Sequence, residues 1–451
     1  MLVIQVSLYA AIVCIATILV RRFRLAGVSL LEPGVIFGAF VLAYSVIPLL
    51  AFSIVNDIAS HPQADVRLND DTASPKAVSA ISWLHLWFFA CFTLAYLALR
   101  KKSEPFRARE FHAGDLDLAI GAALLTGCKL IVWLGLRHYD ISAANYLEAY
   151  AHLNALPLLT RQILTHVSGL ATTLSVLLCV GIMSRRKYHW ILPIWLGLEA
   201  ILLIEDQGSR TAVFVICLSI LASYHYLVRK ISALLVLILL GVAFLMFVLV
   251  GAWRDMGSEA GSIPEILTGM LIRNEFTSVF INALDVQRLR DAGMTDAIVP
   301  QFYFSDLVNV FPQQFLPLEK LDVSAWYVQS FYPEFAALGG GYVFGIISES
   351  IVGLGYLDAG VRALLLGILF ASVYVWIARK KRPSLWMITF YIWLLVLSFK
   401  LFRGTTLALV PVFILDFLPA YVVFKVARAI TLAYLRTIPR RSIAASDSSG
   451  S

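Results

Sequence analysis

The chain has 451 residues, 60% apolar and only 14% charged, with a mean hydropathy of +0.81 and a formal charge of +7. Soluble domains are nearer half apolar and one-quarter charged, so an ordinary soluble globular protein is excluded. The positive excess sits in clusters at the ends of apolar runs, which argues for cytoplasmic loop ends and against nucleic acid as a partner.

A helix needs about 20 apolar residues to cross the hydrocarbon core, and on that measure the chain reads as about eleven spans. The first, 2–20, is followed by Arg21, Arg22 and Arg24. That order describes a retained helix with its N-terminus outside, not a cleaved signal peptide. A second span, 33–55, leads to a polar loop holding Asp57, Asp65, Asp70 and Asp71. A third, 77–99, closes on Arg100, Lys101 and Lys102, and a fourth, 118–136, runs out to Arg137-His138-Tyr139-Asp140. The fifth, 163–183, ends in Arg185, Arg186 and Lys187. Spans 190–204, 211–228 and 231–253 follow, with Arg229 and Lys230 between the last two.

The segment 254–341 breaks the rhythm. It holds five basic residues against eleven acidic ones, the opposite sign to the whole chain. Trp326, Tyr327, Phe331, Tyr332 and Phe335 and the Phe311–Pro317 run give it the composition of a folded external cap. The stretch 342–378 is too long for one upright helix. It divides into 342–354, dipping toward or lying along the outer surface, and a crossing at 356–378 closed by Arg379, Lys380, Lys381 and Arg382. Spans 384–399 and 406–426 complete the set. The expected organisation is one all-α polytopic domain over 1–435, with a cytoplasmic disordered tail at 436–451.

Positive charge is biased toward cytoplasmic loops, and Arg210 and Arg403 defy that bias in short outer loops. An anionic partner outside the cytoplasm is the reading that explains them, because an arginine fork holds phosphate well. Arg254 and Arg273 are further candidates, balanced against simple snorkelling to headgroups. Glu349, in an otherwise apolar run, is a candidate general base or else an arginine's partner. Asp358 and Arg362 are spaced to pair on a helix. His138 and Asp140 could act in base catalysis, with a spacing that is not diagnostic. The sequence holds no H-E-x-x-H, Walker loop or G-x-S-x-G. Its cysteines, Cys14, Cys91, Cys128, Cys179 and Cys217, all fall in apolar runs. No metal and no cofactor is therefore expected.

Several short motifs occur in order: Gly208-Ser209-Arg210-Thr211, Phe311-Pro312 with Phe315-Leu316-Pro317, Gly339-Gly340-Gly341 leading to Glu349, Gly353-Leu354-Gly355-Tyr356, and Arg403-Gly404. In this ordered set the C-terminal half resembles the O-antigen polymerase (Wzy-type) family of bacterial inner membranes. Gln313-Gln314 stand where that family's pattern would carry a basic residue. The resemblance implies a GT-C-like helical fold and a metal-independent glycosyltransferase that joins undecaprenyl-diphosphate-linked oligosaccharides at the periplasmic face. Membrane lipid, a chain-length regulator and a flippase would be its partners. It implies that Arg210, Arg254, Arg273 and Arg403 hold the diphosphate and that Glu349, or else Asp140 or His138, takes the hydroxyl proton. Two alternatives stand beside it: an O-antigen ligase, and a lipid-linked oligosaccharide flippase or secondary transporter. A transporter should carry charge inside its spans, and the sequence shows little there apart from Lys129.

Overall fold

The computed structural model describes residues 28–55, 65–68, 72–100, 106, 108, 110–139, 141, 152–153, 155–205, 210–239, 241–242, 272, 274–303, 305, 308, 311, 321–338 and 340–437. The expected first span, most of 231–253, Asp140, Arg254, Arg273 and the tail from 438 lie outside these. The described residues are helical, with no strand among them. The protein is an all-helical polytopic membrane protein.

Among the described residues, seven helices are long and apolar enough to cross a bilayer. They are α1 (Pro33–Ile54), α2 (Pro75–Arg100), α3 (Asp115–His138), α4 (Leu158–Met183), and three later ones. Shorter helices α5 (Ile191–Glu205) and α6 (Arg210–Ser223, running on as a π-turn to Val228) lie between. The long segment contributes α7 (Glu275–Asp291), α8 (Val323–Phe331) and α9 (Pro333–Ala337). Next come α10 (Ile346–Val352), then the remaining long helices α11 (Tyr356–Ala378), α12 (Leu385–Arg403) and α13 (Leu409–Thr437). The helix starts follow ordinary chemistry. Pro33 takes the first position of α1, where its missing N–H costs nothing. Asn274, Asp322 and Ser384 cap α7, α8 and α12 through side-chain oxygens that accept backbone N–H bonds.

The alternation of directions required by the basic flanks is present. At one end of the bundle Arg428 of α13 meets Asp117 of α3, and Arg100 of α2 meets Glu32 just before α1. Arg185–Lys187 and Arg379–Arg382 close α4 and α11 at this same, basic end. At the opposite end Tyr356, starting α11, donates to Ala80 O near the start of α2. α11 runs beside α2, and small residues let them approach: Gly360 faces Trp87, and Gly367 faces the Phe92 carbonyl and Ala95. A Phe37, Phe88, Phe92, Phe370 and Phe402 cluster fills the centre. α12 is the most enclosed span, with 83% of its apolar window buried.

Two expectations are narrowed. For 342–354, expected to dip toward or lie along the outer surface, the second course does not hold: α10 is seven residues long and every one is buried, against α7, α11 and α12. The acidic segment is also more than a cap over the bundle. Its α7 packs along α1, and Glu275 at its start accepts a bond from Tyr44, midway along α1. α7 carries a polar stripe, Glu275, Ser278, Asn282 and Asp285, at helical spacing. A helix with such a stripe, buried on all sides, must find partners for it.

Those partners come from the neighbouring segments. Asp285 accepts from Tyr327 and Tyr332, each at 2.5 Å, and from Arg288 at 2.7 Å. Asn282 donates to the carbonyls of Val343 and Phe344 and accepts from Arg67 at 3.1 Å. Arg67 also grips Asp65 and lies 3.7 Å above the Tyr342 ring. Burial alone would lower the Arg67 pKa, but the hydrogen bonds and charge of Asp65, together with Tyr327 and Tyr342, outweigh it and hold it raised. Burial pushes the Tyr327 and Tyr332 phenols up, and that of Tyr342 to about 12.

Candidate functional site

Glu349 and the Arg403-Gly404 turn, far apart in sequence, meet in space. Gly345 precedes α10 with φ +82°, a left-handed conformation suited to glycine, and the turn aims α10 between α7 and α12. Glu349 on α10 is 4% exposed. Its Oε2 accepts from the backbone N–H and the hydroxyl of Thr406, both at 2.7 Å. Its Oε1 lies 2.6 Å from Arg362 Nη1. Arg362 closes the triangle by donating to Thr406 Oγ1 at 2.7 Å.

Asp358, one turn back on α11, stands 2.9 Å from Arg362 Nε, which is the pairing expected from the spacing. The N–H does not point along that line, so the contact is an ion pair and not an aligned hydrogen bond. The Phe302 and Tyr303 rings lie 5.4 and 5.5 Å from the guanidinium. Burial raises the Tyr303 phenol, and Asp358 adds to the shift.

The C-terminus of α12 carries Arg403. Its Nη1 lies 2.6 Å from Glu275 Oε1, and its side chain keeps 31% exposure. Glu275 is thus shared between Arg403 and Tyr44. The turn after α12 is held from two sides: Glu275 on the arginine, and Glu349 with Arg362 on Thr406, three residues on.

The remaining sequence candidates divide. Arg210 is the first residue of α6, the helix start its Gly-Ser neighbours suggest, and its side chain lies outside the described residues. So do Asp140, Arg254 and Arg273. His138 is exposed at the end of α3, with its ring against Tyr139. α3 packs on α4 and α13, whereas Glu349 sits among α7, α11 and α12, so the structure does not bring His138 to Glu349. The proton-acceptor role expected of Glu349 now falls on a carboxylate with strong donors on both oxygens.

Charge inside the spans is more abundant than the sequence suggested. Lys129 of α3 pairs with Glu199 of α5, and His166 of α4 lies 3.2 Å from Asp416 of α13. At the basic end of the bundle, Glu32 and Arg100 form a further buried pair, 1% exposed on each side and joined by Tyr96 and Tyr374. Glu275, Thr406, Asp416 and His166 were not singled out from sequence. For Asp416 and His166 the signal was there, since each is a lone ionisable group in an apolar run, as Glu349 is.

No protein-family description, curated protein or solved structure matches the chain.

Proposed function

We propose that the protein is a bacterial inner-membrane glycosyltransferase that polymerises oligosaccharide repeat units carried on undecaprenyl diphosphate, acting at the periplasmic face. One observation carries the reading. Arg403, at the non-basic end of the bundle, is presented by a turn that two separate ion pairs lock in place. A fixed arginine fork suits a leaving diphosphate, because charge developing there meets a donor that needs no reorganisation. The basic ends of α2, α4 and α11 support an orientation with that turn outside the cytoplasm, under the positive-inside bias. Arg210, Arg254 and Arg273 are the further diphosphate ligands on this reading, and the segment 254–341 faces the periplasm.

In the reaction a hydroxyl of the incoming unit's terminal sugar attacks C1 of the growing chain, and the lipid diphosphate leaves. Glu349 and Arg362 position the Arg403 turn through Thr406. The test is the glycan profile of a deletion strain. Single repeat units on lipid A core support a polymerase, and their complete absence supports a ligase or flippase instead. In the same strain Arg403→Lys should insert normally and lose most polymerisation, because an ammonium cannot replace the fork. Full activity of that variant would remove Arg403 from the diphosphate site.

A transporter is the second reading, and the pairs Lys129–Glu199 and His166–Asp416 favour it, since ionisable groups inside spans mark ion and substrate pathways. The same glycan profile separates the two.

A further inference from the structure

His166 and Asp416 come from helices α4 and α13 and lie 3.2 Å apart across the contact between them. The local backbone is shaped around them. Asp416 sits in a π-helical turn, Phe413–Phe417, a distortion frequent at functional sites. Opposite it α4 carries Gly169, where a Cβ would come within 2.2 Å of the Asp416 carboxyl carbon. The carboxylate thus lies flush against the α4 backbone, one turn from the imidazole. Asp416 Oδ1 is 3.2 Å from His166 Nδ1, and the histidine side chain keeps 39% exposure. In the tautomer that donates Nδ1–H to Asp416, the Nε2 lone pair is the one that can accept a proton.

The third helix against this pair is α12. Its residues 391–399 are all buried, and the next, Lys400, is exposed. Lys400 is flanked by protein yet keeps accessible surface, and it is within electrostatic range of both Arg403 and Asp416. Among the described residues, Asp416 of α13 faces His166; Lys400 of α12 interacts electrostatically with Asp416, and Arg403 with Lys400.

We propose that His166, oriented by Asp416, is the group that takes the proton from the attacking sugar hydroxyl; this rests on the polymerase reading. The hydroxyl oxygen bonds to C1 as the bond from C1 to the diphosphate oxygen breaks. The electron pair leaves with the diphosphate toward Arg403 and Lys400. The hydroxyl proton moves to Nε2, and Asp416 stabilises the imidazolium through the Nδ1–H. This assigns to a pair inside the spans the role that Glu349, held by Arg362 and Thr406, is poorly placed to fill.

The test uses the full-length protein in liposomes with lipid-linked repeat units. Wild-type polymerisation should fall on the acid side of a single limb in the pH range from about 5 to 8, where imidazole titrates. His166→Gln keeps a donor to Asp416 but cannot accept the proton. It should lose roughly 10²- to 10⁴-fold in rate and lose the limb. Asp416→Asn should also lose most of the rate, because the imidazolium formed in the transition state loses its anionic partner. Gly169→Ala, which leaves both titratable groups in place, should slow the reaction by displacing the carboxylate. A wild-type rate flat across that range overturns the proposal without any substitution. So does a His166→Gln enzyme within threefold of wild type. If wild-type protein makes no polymer from competent lipid-linked units, the polymerase reading itself fails.

Discussion

Replacing Glu349 by Gln is the sharpest probe of how the candidate site is built. Gln preserves the shape, so Thr406 can still donate to the amide oxygen. The amide NH2 then faces Arg362 Nη1, donor against donor, where an anion stood at 2.6 Å. Removing one partner of a buried ion pair costs about 3–5 kcal/mol. Asp358 remains 2.9 Å from Arg362, so the lower end applies, about 3 kcal/mol, or on the order of 100-fold in the folded population.

Equilibrium unfolding in mixed detergent micelles would measure that loss. Arg362→Met and the double variant complete a cycle. The double variant should be less destabilised than the sum of the singles by about 1–3 kcal/mol, because the uncompensated guanidinium is gone. Recovery will be incomplete, since Asp358 then loses its cation. Polymerisation should fall in Glu349→Gln while the shape of its pH profile stays that of wild type. Additivity within about 0.5 kcal/mol would refute the triangle as an energetic unit. Loss of the acid limb in this variant would return the proton-acceptor role to Glu349.

Topology is tested by reporter fusions: those after Asp322 should report the periplasm and those after Lys381 the cytoplasm, and the reverse would invert the whole assignment. The Tyr342 phenol titrates near 10 when unfolded and at about 12 in the fold. A group with a raised folded pKa stabilises fully below the unfolded value and loses that contribution as pH rises through the folded one. Docking of residues 321–344 on α7 should therefore weaken between pH 10 and about 12, followed by limited proteolysis, and Tyr342→Phe should blunt the change. Asp285→Ala strips an acceptor from Tyr327, Tyr332 and Arg288, and should destabilise the same docking by about 3 kcal/mol in a denaturant series; an effect below about 0.5 kcal/mol would remove Asp285 from the interface.

The spans were legible because their signal is local: apolar runs with basic ends locate α1 through α4 and α11 through α13 to within a few residues, apart from the far end of α13. The Asp358–Arg362 pair was legible for the same reason, as helical spacing decides it. What escaped was tertiary. Nothing near Glu349 in the chain announces Thr406, 57 residues on, as the donor to its carboxylate. Nor does the composition of 254–341, acidic and aromatic, reveal that α7 packs beside α1. A buried polar stripe and an exposed one look alike in sequence until the partners, here Arg67, Tyr327 and Tyr332, are brought in from other segments.

The charges around the Arg403 turn indicate how the site could accept a polyanion. Glu349, Asp358 and Arg362 together carry one net negative charge, and Glu275 with Arg403 carries none. An anion approaching Arg403 therefore meets a carboxylate already in place, and the arginine is held ready by that same carboxylate. Exchanging Glu275 for a diphosphate costs one ion pair and gains several charge-assisted bonds, provided Glu275 has somewhere to turn. Tyr44, 2.9 Å away and midway along α1, is a donor that can keep it. On the polymerase reading Glu275 and Arg403 form a stored pair with no net charge. The substrate's phosphates then substitute for one partner without leaving the arginine unpaired at any stage.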